Sequence, residues 1–559
     1  MRIPAFVSWA LCALVAGACG SRSPAESPAA NTPAAAPAAP AAAAEPLTFG
    51  HHRHPIRTTN PDAQRMFDQG MAQAFGFNHE AAIRSFEQAA QLDPASPMPL
   101  WGKAWALGPN YNLDIDDARA QAAFATVTKA QSLAANAPEN ERAYVEALAV
   151  RYSADMKADR PALARAFSEA MGGLSRRFPD DLDAAVIYAE SLMNLTPWKL
   201  WTLDAKPATH TEEIVRVLES VLLRDSSHLG ANHYYIHAVE ASRTPARALP
   251  SATRLATLSG SSGHLLHMPA HIYARTGDHA SAAAANAAGA AADRKYLVNA
   301  PANEMYGMMY YPHNLHFLAD SHMMQGRFAD AHQAASRVAE HLGPHAAMMP
   351  MVESVIVMPV SVLMRFGKHA EILALPQPPA DRPVQRAWHH FARGSTLAKT
   401  GKIEEAAAER KSLTSAIATV PETAAFGGGG WAAASTVLGV AALALDARIA
   451  AARADHDRAI KYWQQAVAVA DGLPYDEPPV WFYPIRESLG AALLAAGRVP
   501  DAERVFREDL EKHPRNARSL FGLNAALSQQ GKQSDAAWVQ REFDESWKNA
   551  DTKLTLESF

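Results

Sequence analysis

Cysteine is almost missing: 559 residues hold two, Cys12 and Cys19, both among the first twenty. The body of the chain therefore has no disulfide, no thiolate ligand and no cysteine nucleophile, and any metal site in it must draw on His, carboxylate or Met. Aromatic residues make up only 8% against a hydrophobic content of 48% that is largely alanine, which suits close-packed helices and argues against a β-sandwich or barrel. Clustered Lys and Arg are lacking and the net charge is -5, so nucleic acid is set aside as a partner. No Ser-His-Asp order, glycosidase-like carboxylate pair or nucleotide fingerprint is found. The glycine run 427–430 lacks the Lys-Ser/Thr that follows in a phosphate loop, and no strand precedes it, so it reads as a flexible hinge.

The first residues read as an export signal: Arg2, then an apolar run over 5–15 too short to span a membrane, then small residues. Residues 21–45 are Ala, Pro and Ser, a composition that cannot bury a core and behaves as a tether. Val15-Ala16-Gly17-Ala18-Cys19 resembles a bacterial lipobox, with Ala16 where Leu is usual. The resemblance implies a lipid on Cys19, a membrane held through that anchor, and, with Gly20 rather than Asp next, the periplasmic side of the outer membrane; simple cleavage and release to the periplasm is the other outcome.

From Ala63 the sequence places Gly70, Ala82, Phe86, Ala89 and Pro94 at positions 8, 20, 24, 27 and 32. Small residues at 8, 20 and 27 let two antiparallel helices approach, a large one at 24 fills the gap, and proline stops the second helix. The frame returns from Tyr483 with Gly490, Leu493, Ala502, Phe506 and Pro514, and again from Ala517. Between these copies a glycine five residues before a small residue marks further turns, as in Gly277/Ala282, Gly326/Ala331 and Gly401/Ala406. These offsets resemble the tetratricopeptide (TPR) superfamily over 63–547, and the phrases His267 to Tyr273, Tyr311 to Phe317 and Glu477 to Pro484 resemble a bacterial subgroup of it with histidine-bearing repeats. The resemblance implies an all-α, TPR-like α-solenoid of helical hairpins, about eight to ten of them, curled into a closed or strongly curved array. Residues 1–19 are then the signal, 20–50 the tether, 51–375 an N-terminal array and 384–559 a C-terminal array, with 375–383 as linker.

Thirteen of the twenty-three histidines lie within 228–345. His233/His237, His267/His271 and His313/His316 are spaced by three or four, so each pair shares one helix face. Counted from Gly277 and Gly326, the second and third pairs fall at positions that face the groove in the TPR pattern. Neutral imidazole pairs one turn apart bind Zn, Cu or Fe, and these six histidines are the candidate ligands, with Glu240 on the neighbouring wall and Glu477 as catalytic candidates. Two other readings stay open: a groove lined with polar rings that holds a protein or peptide, and packing alone. Pro269 either re-aims His267 relative to His271 or is a packing habit shared with Met358-Pro359. Eleven of eighteen methionines lie within 268–364, suited to copper or to filling gaps. Asn78-His79-Glu80 reads as an exposed turn.

The functional expectation is an envelope scaffold binding a protein or peptide on its concave face. The alternative is a metalloprotein on that face, a metal-dependent hydrolase or oxygenase if an enzyme, whose cofactor is one of those transition metals.

Overall fold

Phe86 shows why the repeat frame works as a packing device. A Cβ added at Gly70 or at Gly102 would lie 2.6 Å or 2.5 Å from its ring, so only hydrogen at those two positions lets one phenyl group fill the space between successive hairpins. Phe506 is held the same way between Gly490 and Gly522, where a Cβ would come within 2.5 Å and 2.2 Å. Both rings are fully buried. The computed structural model describes residues 48–559 apart from 302–303 and 430–431; the signal, Cys19 and most of the tether lie outside them.

Among the described residues the chain is an all-α, TPR-like solenoid. Helices run antiparallel in sequence order, from Pro61–Phe75 with His79–Leu92 to Ala517–Gln529 with Gln533–Trp547. Of the twenty-six α-helices, two pairs are one arm broken at a proline, which leaves twenty-four arms and twelve hairpins rather than the eight to ten expected. The additional hairpins fall in the middle of the chain, where the frame is too loose to count. Among the described residues, paired strand is confined to Ala425–Phe426 with Ala432–Ala433.

Turn glycines at 277, 326, 401, 497 and 531 all take positive φ, between 71° and 80°, a conformation that a Cβ would strain. The two broken arms are Gly263–His267 with Pro269–Arg275, and Glu353–Ile356 with Met358–Arg365. The breaks fall at Met268 and Val357, one and two residues before Pro269 and Pro359, as expected where a ring replaces an N–H donor. The proline is thus a shared habit of these arms and also sets how His267 stands to His271. Met268, Met323 and Met358 are buried in the core, in keeping with gap filling.

The array curls back on itself twice. Arg84 of the first hairpin donates to the Tyr296 hydroxyl at 3.0 Å and pairs with Glu304, while Glu80 accepts from the N–H groups of Met305 and Tyr306 at 3.2 and 3.3 Å. Asn78 and His79 are therefore buried, not the exposed turn expected from local sequence. Later, Gly277 packs so closely on Pro514 that a Cβ would meet its carbonyl oxygen at 2.3 Å, and Asp551 accepts from the N–H groups of Phe328 and Ala329 at 2.7 and 2.9 Å. The arrays 51–375 and 384–559 belong to one compact unit, and 375–383 is a connection inside it.

Two outcomes test this packing. Gly102→Ala lowers stability by about 1–3 kcal/mol because a fully buried ring must shift, whereas Gly173→Ala, with open space around its Cβ, raises it by about 0.5–1 kcal/mol through helix propensity; urea unfolding measures both. Burial holds His79 down at about 4, against a single bond from its Nδ1 to the Ala106 carbonyl at 2.9 Å. The unfolded chain takes up that proton below about pH 6.5 and the folded chain does not. Stability therefore falls as pH drops from 6.5 towards 4, by about 3 kcal/mol for this residue at the lower end. His79→Gln flattens that slope in melting curves taken across this range.

Candidate metal centre

Three arms carry the inward-facing histidines: Leu229–Val239, the broken arm Gly263–His267/Pro269–Arg275, and Met305–Met324. Their side chains form two adjoining trios. His233, His237 and His264 make one, and His267, His271 and His313 the other; within each, one nitrogen per ring lies within 4.8 Å of the other two. His233 Nε2 is 3.1 Å from His264 Nε2, His267 Nε2 is 2.8 Å from His271 Nε2, and His313 Nε2 is 3.1 Å from His267 Nε2. Five of the rings, His233, His237, His264, His267 and His271, are at most 2% exposed. The histidine face is thus enclosed by protein, not laid open as a groove.

The outer nitrogens are anchored, and the anchors fix the inner ones. His233 Nδ1 meets the Phe75 carbonyl at 2.5 Å; because a carbonyl only accepts, Nδ1 carries the hydrogen and Nε2 the lone pair. His267 Nδ1 donates to Asn286 Oδ1 at 2.6 Å, again leaving Nε2 as a lone pair. His237 Nδ1 lies 3.1 Å from Glu240 Oε1, and its buried Nε2 has no partner. His271 Nδ1 sits 2.7 Å from both Glu240 Oε2 and Glu477 Oε2. Ligating histidines characteristically pass their second nitrogen to a carboxylate or carbonyl in this way.

Charge follows the same geometry. Burial first, and then the neighbouring imidazoles, hold His233, His264, His267 and His313 well below the ordinary histidine value. His271 is the exception: burial opposes its charge, but the carboxylates of Glu477 and Glu240 outweigh burial and lift it to about 10. Glu240 is lowered, because His237 and His271 overcome its burial, while burial raises Glu477. Without an ion, then, one imidazolium between two carboxylates is the positive charge of an otherwise neutral, lone-pair-rich cluster.

Residues from both ends of the coil close it. Phe77, in the turn after the first helix at φ 57°, stacks on His237 and His264 with centroids at 5.8 and 5.5 Å and meets His233 edge-on at 4.5 Å. Phe317 packs on His267 and His271. From the other side come Glu477 and the glycine run, which is no free hinge: Gly429 N–H donates to both Asp476 oxygens at 3.0 and 3.1 Å. A Cβ at Gly428 would lie 3.8 Å from the Nδ1 atoms of both His313 and His316.

Of the six expected ligands, five join the trios. His316 stands one turn from His313 but lines a small separate cavity with Asp320, its Nδ1 unpartnered and burial holding it at about 4. His264 was missed as a ligand although its spacing of three from His267 was visible. A further cluster joins His52, His54 and His228 around Asp183 at 3.0, 2.8 and 3.1 Å. There His228 Nδ1 accepts from the Ala231 N–H, so its Nε2 carries a hydrogen towards the carboxylate and this cluster acts as a structural anchor.

Phe77→Ala uncovers the first trio. Diethyl pyrocarbonate, which acylates accessible neutral imidazole, is expected to spare His237 and His264 in the metal-free parent and to label them in the variant, as read by peptide mass spectrometry. The same change lowers stability by about 3–5 kcal/mol.

No family model and no curated protein matches the chain. Solved structures with a similar run of helices include the human IFIT1 dimer with m7Gppp-AAAA (11% identity, 88% of this chain and 91% of that one, TM-score 0.33). Others are yeast Tom70 (9%, 86% and 92%, 0.28) and the APC/C hetero-tetramer Cut9-Hcn1 (11%, 90% and 95%, 0.28). Likeness at this level carries nothing about the site.

Proposed function

We propose that the chain is a helical-repeat metalloprotein that holds two first-row transition-metal ions side by side, one in each histidine trio. The observation that carries this reading is the convergence of buried Nε2 atoms at 2.8–3.1 Å with their outer nitrogens anchored. Two nitrogens bonded to one ion at 2.0–2.1 Å stand roughly 2.9–3.4 Å apart for angles of 90–110°. Neutral imidazole suits Zn, Cu or Fe, and three protein ligands leave a position open for water or substrate, the arrangement of a catalytic centre. Glu240 spans the two trios through His237 and His271. Glu477, whose Oε2 faces His271 Nδ1 at 2.7 Å and whose Oε1 has no hydrogen-bond partner, is the acid–base candidate for hydrolysis or oxygenation at that open position.

The scaffold reading keeps its place beside this one, since stacked hairpins offer extended surfaces to a protein or peptide. With the histidines enclosed, such a partner would bind elsewhere on the coil. Lipidation at Cys19 and an outer-membrane location belong to the same proposal. Labelled fatty acid should tag the parent and not Cys19→Ser; equal labelling removes the anchor.

Elemental analysis of protein purified without added metal decides the main point. About two equivalents are expected, falling by about one in His264→Ala and by about one in His267→Ala, with helical content by circular dichroism kept near the parent's. Finding no bound transition metal, either as purified or after reconstitution with Zn, Cu or Fe, rules the proposal out.

A further inference from the structure

A second cavity, of about 440 Å³, lies in the C-terminal half between the arms Met358–Arg365, Pro383–Lys399, Ala434–Ala452 and Arg486–Ala495, with residues 552–559 along its outer side. Four cations on the helices face it: Arg365, Lys399, Arg448 and Arg518. The helices supply a single carboxylate, Glu487, and it is fully engaged. Arg365 grips both of its oxygens, Asn516 Nδ2 donates to it at 2.9 Å, and Arg518 Nε stands off at 3.6 Å without a hydrogen bond. The covering segment adds Lys553 and Glu557, and the Glu557 charge acts on Lys399.

That leaves Arg448 and Lys399 without a direct ion pair. The Arg448 guanidinium reaches two hydroxyls, Ser395 Oγ at 3.1 Å and Tyr483 OH at 3.4 Å, and lies over the rings of Phe391 and Trp463. Among the described residues neither Arg448 nor Lys399 meets a carboxylate. Desolvation, and then the Arg448 charge, lowers Lys399 against the pull of Glu557; burial, and then the Arg365 charge, lowers Arg518 to about 9 against that of Glu487. Like charges held together in a partly desolvated pocket repel, and only an anion between them removes that repulsion. The other walls are of two kinds: hydroxyls from Ser395, Thr396 and Ser488 beside the cations, and apolar surface from Met364, Ile372 and Phe482. A volume in this range accommodates an organic molecule rather than a bare ion.

We propose that this cavity is a binding site for an organic anion, a carboxylate or phosphate carried on an apolar body, with Arg448 and Lys399 taking the charged group and the segment 552–559 covering it. The covering segment is fastened at both ends: Thr552 donates to the Gly326 carbonyl at 2.7 Å, and Arg518 donates to the Ser558 carbonyl while its guanidinium lies 5.1 Å from the centre of the Phe559 ring. Phe482 lines both this cavity and the small one holding His316, so the site adjoins the metal centre's wall without sharing a ligand with it. The inference holds whether or not the histidine trios take metal.

Isothermal titration of the full chain with octanoate and with octyl phosphate tests it, with inorganic phosphate and octanol as controls. One of the two amphiphilic anions should bind, which identifies the head group, and should bind more tightly than either control. Lys399→Met and Arg448→Met should each weaken it by about tenfold or more, the loss expected for a charge-assisted contact, and Lys399→Arg should keep it. Lys399 sits at the cavity mouth without an ion pair, so its replacement leaves the fold intact, as an unchanged melting temperature would show. Absence of binding by both probes, or binding equal in parent and Lys399→Met, overturns the proposal.

Discussion

Six imidazole rings packed with their inner nitrogens facing one another are the constraint around which this coil is built. A buried polar atom without a partner costs about 1–3 kcal/mol, and this cluster holds several, His237 Nε2 and His264 Nδ1 among them. Packing alone would not turn the inner nitrogens of six rings towards one another at 2.8–3.1 Å when leucine or methionine could fill the same space. The outer anchors, from the Phe75 carbonyl to Asn286, remove the rotational freedom that would let the rings turn apart. The arrangement becomes favourable once positive charge stands between the rings, and His271, charged between two carboxylates, supplies a single such charge at one edge.

Enclosure is a property of the coil rather than of any repeat. Ligands come from three inner arms, but the lid comes from far away in sequence: Phe77 from the first turn and Glu477 from beyond residue 470. Both are placed by the double curl. Arg84 and Glu80 bring the first hairpin against the 296–306 region, and the backbone contact of Gly277 with Pro514 brings the last hairpins against the broken arm. Excluding water in this way strengthens every electrostatic interaction inside the centre.

How much of this was legible follows from which features are local. The frame of Gly70, Ala82 and Phe86 could be read because helix approach dictates residue size at fixed offsets, and the same logic recovered Gly490 and Phe506. Histidine spacing gave the inward face of each arm and so five of the six rings in the trios. It misplaced His316 because a straight-helix count ignores the rotation between neighbouring arms. The enclosure, the burial of Asn78 and His79, and the pinning of Gly429 by Asp476 were out of reach, since each depends on contacts across at least 27 positions. The anion cavity was equally hidden: its four cations are scattered over 365–518 and form no run.

Site and fold are linked in a further way. Each ring takes its orientation from a different layer: His233 from the end of the first helix, His267 from Asn286 on His279–Leu297, and His271 from Glu240 and the 477 loop. An ion bound by a trio therefore joins separate arms, and its binding free energy becomes stability of the coil. On this argument the looseness of the repeat frame in the middle of the chain has a physical origin: from 229 to 324 the arms are held by the histidine centre as well as by the Gly-Phe packing that fixes the two ends.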